Sequence, residues 1–395
     1  MRTFALSALA LSVSLALSAC GGGSDWPTKS TLAVIGDVPY GTTPTDTAQL
    51  TLHPNFISAI NADTDLSAVL HVGDIHSGKS YCTQAYNQTI FDHWKAYRMP
   101  LVYTIGDNEW ADCHKKAEGG GLYNSTTGVI DYVLDSAGQP VDYAKGDPMA
   151  NLALVRSMFF SKPGQTLGAA MTVHTQAQEF DAGFPKDAAF VENTWFLKSG
   201  VVFVNLNVPG GSNNNTDPWY GVPTLSAAQT QEVADRTAAN LRWLSQAFTQ
   251  AANGGVLGVV VQFQADVWDV DGKDSAHLTG YKSLVDALAT QTKTLGKPVL
   301  LLNGDSHLYR SDNPLQKGAK CVSEATSGAP VAACATDDYI AQPNGYDVPN
   351  FHRVVVHGST FPLEWLKLTV DPEANAPNGS DAFGPFGWKR MQPKL

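Results

Sequence analysis

Thr31-Leu32-Ala33-Val34-Ile35-Gly36-Asp37 is an apolar run that stops at a Gly-Asp pair. The same punctuation closes Ala68-Val69-Leu70-His71-Val72-Gly73-Asp74 and Leu101-Val102-Tyr103-Thr104-Ile105-Gly106-Asp107. With one asparagine interposed it also closes Val299-Leu300-Leu301-Leu302-Asn303-Gly304-Asp305. Continuous β-branched runs of this length suit strands buried on both faces, and two more, at 201–206 and 256–263, read the same way. Helical spacing fills the intervals at 47–62, 84–97, 150–160, 226–252 and 275–294. Pro223-Thr224-Leu225-Ser226 starts the fourth of these and Asn253-Gly254-Gly255 stops it. Strand alternating with helix predicts an α/β fold with mainly parallel pairing. Further strands are expected at 353–356 and 365–370, and the Pro- and Gly-rich segment 371–395 reads as a tail.

Three polar stretches, at 117–147, 209–223 and 313–350, interrupt the rhythm. Loops this long in a compact domain usually serve a site or are mobile. With 395 residues, the chain has room for one large α/β domain with insertions or for two smaller ones. Its net charge of −11 argues against a nucleic-acid-binding face, which needs clustered Lys and Arg. An anionic substrate is still compatible, because bound cations reverse the local sign.

The N-terminus carries Arg2 and then an apolar run over 4–19 that is too short to span a bilayer. It ends in Leu17-Ser18-Ala19-Cys20, which resembles the bacterial lipobox, in which the cysteine becomes the diacylated first residue. That predicts a signal peptide over 1–19, a lipidated Cys20 with a flexible tether over 20–30, a folded domain over 31–370, and export to the cell envelope. Gly21 after the cysteine favours the outer membrane of a Gram-negative cell, with membrane contact through the lipid anchor only. Four cysteines remain, Cys82, Cys113, Cys321 and Cys334, and an even number in an exported protein predicts disulfides. Nearest-neighbour pairing is the expectation among the three connectivities. Neither pair has the C-x-x-C spacing of a zinc site.

Ligands of α/β sheets bind beyond the carboxyl ends of strands, and four of these ends carry Asp. Converging carboxylates repel one another unless cations neutralise them, which predicts a metal site. The ordered set resembles the calcineurin-like metallophosphoesterases, whose motifs run Asp-x-His, Gly-Asp, Gly-Asn-His-Asp/Glu, a lone His after a strand, and Gly-His-x-His. The matching stretches are Asp37-Val38-Pro39, Gly73-Asp74-Ile75-His76, Gly106-Asp107-Asn108-Glu109, Gln264 after the 256–263 strand, and Gly304-Asp305-Ser306-His307.

The resemblance implies a four-layer α/β/β/α sandwich of two mixed sheets. It also implies phosphate-ester hydrolysis by a bridging hydroxide on two divalent ions. Asp37 would hold the first metal and Asp74 would bridge both. Asp107 stands at the family's Asn ligand, with Asn108 the alternative if the loop is shifted by one. Gln264 stands at a His ligand, with Gln262 on the same strand face as its alternative. Asp305 replaces the first His of the last motif and His307 matches the second. Pro39 cannot ligate, and Asn108 occupies the place of the histidine that assists the leaving group. His76 or His114 would have to substitute as proton donor.

Oxygen donors in place of nitrogen predict Mn or Mg, admit Ca and disfavour Zn. Arg310 is the expected phosphate contact through its forked donors, and Tyr40 and Trp110 are expected along the pocket. Glu109 and Asp112 read as hydrogen-bonded loop residues. Cys82–Cys113 would brace the second and third motifs. The substrate would be small and phosphorylated, with no nucleic acid expected. The competing expectation, drawn from Pro39, Asn108 and Gln264, is a non-catalytic surface binding protein on a degenerate scaffold.

Overall fold

A computed structural model describes residues 28–269, 275–326, 328–334 and 345–395. The expected signal peptide and Cys20 lie outside the described residues. The principal strands are β1 (Ser30–Ile35), β2 (Leu66–His71), β3 (Pro100–Tyr103), β4 (Thr194–Lys198), β5 (Val201–Asn205) and β6 (Gly258–Gln262). They continue with β7 (Val299–Asn303), β8 (Arg310–Asp312), β9 (Phe351–Val355), β10 (Trp365–Val370) and β11 (Phe386–Met391). The principal helices are α1 (Ala48–Ala62), α2 (Gln84–Trp94), α3 (Pro148–Phe159), α4 (Ala227–Gly254) and α5 (Ser275–Leu295).

Two mixed sheets face each other. The first has β11, β10, β1, β2 and β3 in spatial order, with β1, β2 and β3 parallel and β10 and β11 antiparallel. The second has β8, β9, β7, β6, β5 and β4, with β9, β7, β6 and β5 parallel and its flanks antiparallel. Alternation along each strand sorts the residues into layers. Leu32 and Val34 of β1, Leu70 of β2, Val260 of β6 and Leu300 of β7 meet in the core between the sheets. Ala33 and Ile35 turn the other way onto Phe56, Ile57, Ile90 and Val155 of α1, α2 and α3. Val259 and Val261 pack onto Trp243, Leu244, Tyr281 and Leu288 of α4 and α5. The result is an α/β/β/α sandwich, the architecture expected from the motifs.

Two expectations need correcting. Pairing is parallel only in the middle of each sheet, because short hairpin strands close the edges. The 371–395 segment is not a tail: β11 pairs along the whole of β10, and Phe386 and Trp388 enter the inter-sheet core. Its signal is a brief alternation, Phe386-Gly387-Trp388, inside a Gly-rich context. Both disulfides join nearest neighbours, Cys82–Cys113 and Cys321–Cys334. Closing loops of these lengths contributes roughly 3–4 kcal/mol each on the chain-entropy account.

A buried charge network ties β9 to the ends of its neighbours. The fully buried Arg353 guanidinium meets Asp312 at 2.7 Å and also contacts Asp266. Removing it leaves carboxylates without their partner in the interior, so Arg353→Met is expected to destabilise by about 3–5 kcal/mol. Lys186→Ala, which breaks an exposed pair with Asp235, should cost less than about 1 kcal/mol. Urea midpoints of the two variants, compared at equal m, check the contrast.

Candidate metal centre

Three of the four tip carboxylates emerge from a left-handed backbone turn. Asp37, Asp74 and Asp305 have φ of 53°, 58° and 74°, and His307 has 66°. This left-handed region costs non-glycine residues on the order of 1 kcal/mol or more, and such strain gathers at functional sites. Neighbouring tips hold the turns in place: Asp37 N–H donates to Gly73 O at 3.0 Å and Val38 N–H to Asp74 O at 3.2 Å. The glycines before the acids serve close approach. A Cβ at Gly106 would fall on the Asp74 carboxylate, and one at Gly304 on that of Asp37.

Together the tips form a buried acidic cluster around one phenol. Tyr40 Oη donates to Asp74 Oδ2 at 2.8 Å and lies 3.5 Å from Asp37 Oδ1 and 3.3 Å from His307 Nε2. His307 Nε2 is 3.4 Å from Asp37 Oδ1. Ligand atoms of Asp37, Asp74 and His307 all lie within 4.8 Å of one another, and Asp37 Oδ2 is buried with no hydrogen-bond partner among the described residues. Burial, then Asp305, pushes the Asp37 carboxyl well above the usual carboxylate range. Burial and Asp107 do the same to Asp74, and burial and Asp112 to Asp107. Burial, then His357, holds His307 down to about 4, so its imidazole is neutral with a lone pair to give. Two carboxylates, a neutral imidazole and a phenol oxygen within this radius fit a divalent cation.

A second group, His76, Cys82 and Glu118, is equally tight, but Cys82 is committed to its disulfide and offers no thiolate.

The cluster opens into a cleft of about 560 Å³, a size suited to small molecules. Tyr40, Asp74, Asp107, Asn108, Asp305 and His307 line it, with Lys79 and Lys115 as its cations. Other expected residues are placed differently. Gln264 reaches the cluster, but with its nitrogen: Nε2 lies 3.1 Å from both Asp74 Oδ2 and Asp107 Oδ1, while Oε1 accepts from Gly210 N at 2.5 Å. Gln262 is spent between the sheets, donating to His71 O at 2.9 Å. Arg310 is not among the cleft residues; its Nη1 sits 4.0 Å from Cys321 Sγ on the second disulfide. His76 is buried with Nε2 3.8 Å from Cys82 Sγ, and burial lowers it to about 4. His114 Nδ1 accepts from Tyr220 N at 2.8 Å. Neither histidine lines the cleft. Asn108 does, and its Nδ2 donates to Tyr40 Oη at 2.8 Å and His76 O at 3.0 Å. Glu109 Oε1 accepts from Gly106 N at 2.6 Å and from the Tyr103 hydroxyl, a loop-bracing role as expected. Trp110 is fully buried packing.

With this geometry in view, comparison with known proteins finds likenesses among solved structures. No family model and no curated protein matches the chain. Among solved structures, it is similar to a purple acid phosphatase from seeds of yellow lupin (Lupinus luteus), at 11% identity and a TM-score of 0.37. The alignment covers 87% of this chain and 49% of that one. The chain therefore spans about half the length of the phosphatase it matches, and its function is read from the cleft residues themselves.

The 209–223 loop supplies an element that motif spacing did not reveal. Gly211, Ser212, Asn213 and Asn214 have φ between 57° and 63°, a left-handed turn that only a Gly- and Asn-rich sequence adopts cheaply. Buried Arg236 of α4 pins it, donating to the Asn213 side chain and, at 3.0 Å, to Asn213 O. The turn lays Gly210 over the acids, where a Cβ would overlap Asp107 Oδ2 and the Asp305 carboxylate. At Gly211 nothing lies within 4 Å of a Cβ, but φ is +59°. Gly210→Ala should therefore displace two carboxylates, and Gly211→Ala should only strain the turn. Each is expected to destabilise by about 1–3 kcal/mol, but only Gly210→Ala should also shrink the rise in Tm on adding Mn(II), because Asp107 shares the Gln264 amide with Asp74 and Asp305 N–H donates to Asp37. Melting curves with and without the ion check this.

Proposed function

We propose that this cleft hydrolyses small phosphate esters with a divalent cation held by Asp37, Asp74 and His307, with the Tyr40 oxygen within reach. The observation that carries the reading is the convergence of these three ligands from three separate strand ends, around a bare buried oxygen, at the floor of a cleft walled by lysines. When bound, the cation would supply Lewis acidity toward a phosphoryl oxygen and lower the pKa of a water.

The chain's own groups do the rest. Lys115, anchored by Asp112 at 2.6 Å, and Lys79 place positive charge on an otherwise acidic cleft, which favours a phosphate over a neutral ligand. The Lys115 ammonium is held above its ordinary pKa, with Asp112 opposing burial. It stays charged and stabilises an anionic oxygen without giving up its proton. Burial, then Asp74, raises Tyr40 well above the usual phenol range, so its hydroxyl stays protonated and keeps donating to Asp74. Asn108 holds that phenol in place. His307 is the cleft's only histidine among the described residues, and it is assigned to the cation. No second histidine is left among the described lining residues to protonate the leaving group. That contribution is typically about 10²–10⁴-fold. Export of the protein and its lipid anchor on Cys20 belong to the same proposal.

Manganese-dependent turnover of an aryl phosphate is expected to exceed that of an alkyl phosphate by at least about 100-fold. Asp74→Asn should lower it by about 10²–10³-fold. Activity untouched by Asp74→Asn, or absent with every divalent ion tried, would support the non-catalytic binding protein instead. Because burial holds the Asp37 and Asp74 carboxyls above the usual carboxylate range, a cation must displace their protons, and apparent Mn(II) affinity should rise as pH increases. Calorimetric titrations at several pH values measure that slope.

A further inference from the structure

We infer that Gln264 stands in for a second cation: its amide ties Asp74 to Asp107 with donated hydrogens, and the centre holds a single divalent ion between Asp37, Asp74 and His307. The inference rests on the hydrolase reading above and sharpens its cation count.

The amide orientation is fixed by its other end. Gly210 N–H points at Oε1 from 2.5 Å. Turning the amide over would set N–H against N–H and bring an oxygen against two carboxylates. In the orientation found, Nε2 has an acceptor at 3.1 Å on each side, Asp74 Oδ2 and Asp107 Oδ1. An amide has two hydrogens to give, and both are used.

The side chain has no room to swing aside. Gln264 is fully buried, and Gly73 packs so closely that a Cβ there would lie 2.6 Å from both Gln264 Cβ and Cγ. Gly210 closes the opposite side against Asp107 and Asp305.

Asp305 is directed elsewhere as well. Its Oδ2 accepts from Asp266 N at 3.0 Å, and Asp266 is held by Arg353 and by Ser306 Oγ at 2.8 Å. Its own N–H donates to Asp37 Oδ1 at 3.1 Å. Among the described residues, Asp107 and Asp305 do not join the set whose ligand atoms lie within 4.8 Å of one another. Gln264 thus takes two of the oxygens that a second ion would need, and shares them by hydrogen bonding at no cost in charge.

The test is a count. Metal-free full-length protein is titrated with Mn(II) by calorimetry, and the loaded protein is examined by electron paramagnetic resonance. One tight equivalent with the spectrum of an isolated ion is expected. Gln264→Glu keeps an acceptor for Gly210 N–H but replaces the donors with an oxygen between Asp74 and Asp107. It should double the stoichiometry and produce an exchange-coupled pair. Two tight equivalents and a coupled spectrum in the wild type would overturn the inference while leaving the hydrolase reading intact. So would a folded Gln264→Glu variant that stays at one equivalent. No tight equivalent in the wild type would overturn both. The wild-type count alone decides if the variant fails to fold.

Discussion

Like charges are forced together at the ends of two sheets, and the rest of the architecture answers to that constraint. Asp37 and Asp74 are fully buried side chains, with Asp107 nearly so. At an effective dielectric of 20, two unit charges about 4 Å apart repel by roughly 4 kcal/mol, comparable to the loss of a whole buried ion pair. Strand registry and inter-sheet burial hold the acids near one another against this. Glycine lets the tips approach, and the left-handed turn at 211–214 closes the cluster from above. The buried arginines nearby do not neutralise it directly. Arg236 is engaged with Glu232 and Asn213, and Arg353 with Asp312 and Asp266. Their effect is positional, and the charge itself calls for a cation or for protons.

This division of labour shapes the chemistry. A His-poor, oxygen-rich donor set suits hard ions, and the one imidazole among the described cleft residues is neutral when metal-free. The cations lining the cleft come from the segments after β2 and β3, where Lys79 and Lys115 flank the disulfide-linked stretch. Cations and acids thus line one depression. Thr42, Ser77 and Thr360 complete the lining.

Much of this was legible in the residues, for reasons that differ by element. The buried parallel strands were readable because both faces are apolar, so β1, β2, β3 and β7 appear as unbroken runs. The antiparallel edges were not: β4, β8 and β11 are short, half-exposed or embedded among polar residues, and a period of two over five or six residues barely stands out. At the site, acids at strand ends could be picked out because each follows its own Gly. Direction was invisible. Nothing in the sequence says that the Gln264 amide turns its nitrogen inward, because that depends on Gly210, a backbone donor 54 positions away. Arg310 illustrates the opposite failure. It sits beside a motif in the chain, but its strand carries the guanidinium toward the second disulfide. Lys115, two residues after Cys113, belongs to no motif; only the bend of the bridged segment brings it to the cleft.

The Cys82–Cys113 link has a practical corollary. It joins the stretch leaving β2 to the stretch leaving β3, the two that carry Asp74 and Asp107, and its sulfurs sit 3.3 and 3.4 Å from Asn108 O. Material made in a thiol-rich cytosol would lack that tether, leaving the β2–β3 pairing to hold the two acid-bearing segments together. The order of the acid cluster then becomes a property of the compartment in which the polypeptide matured, and preparations of identical sequence differ in it.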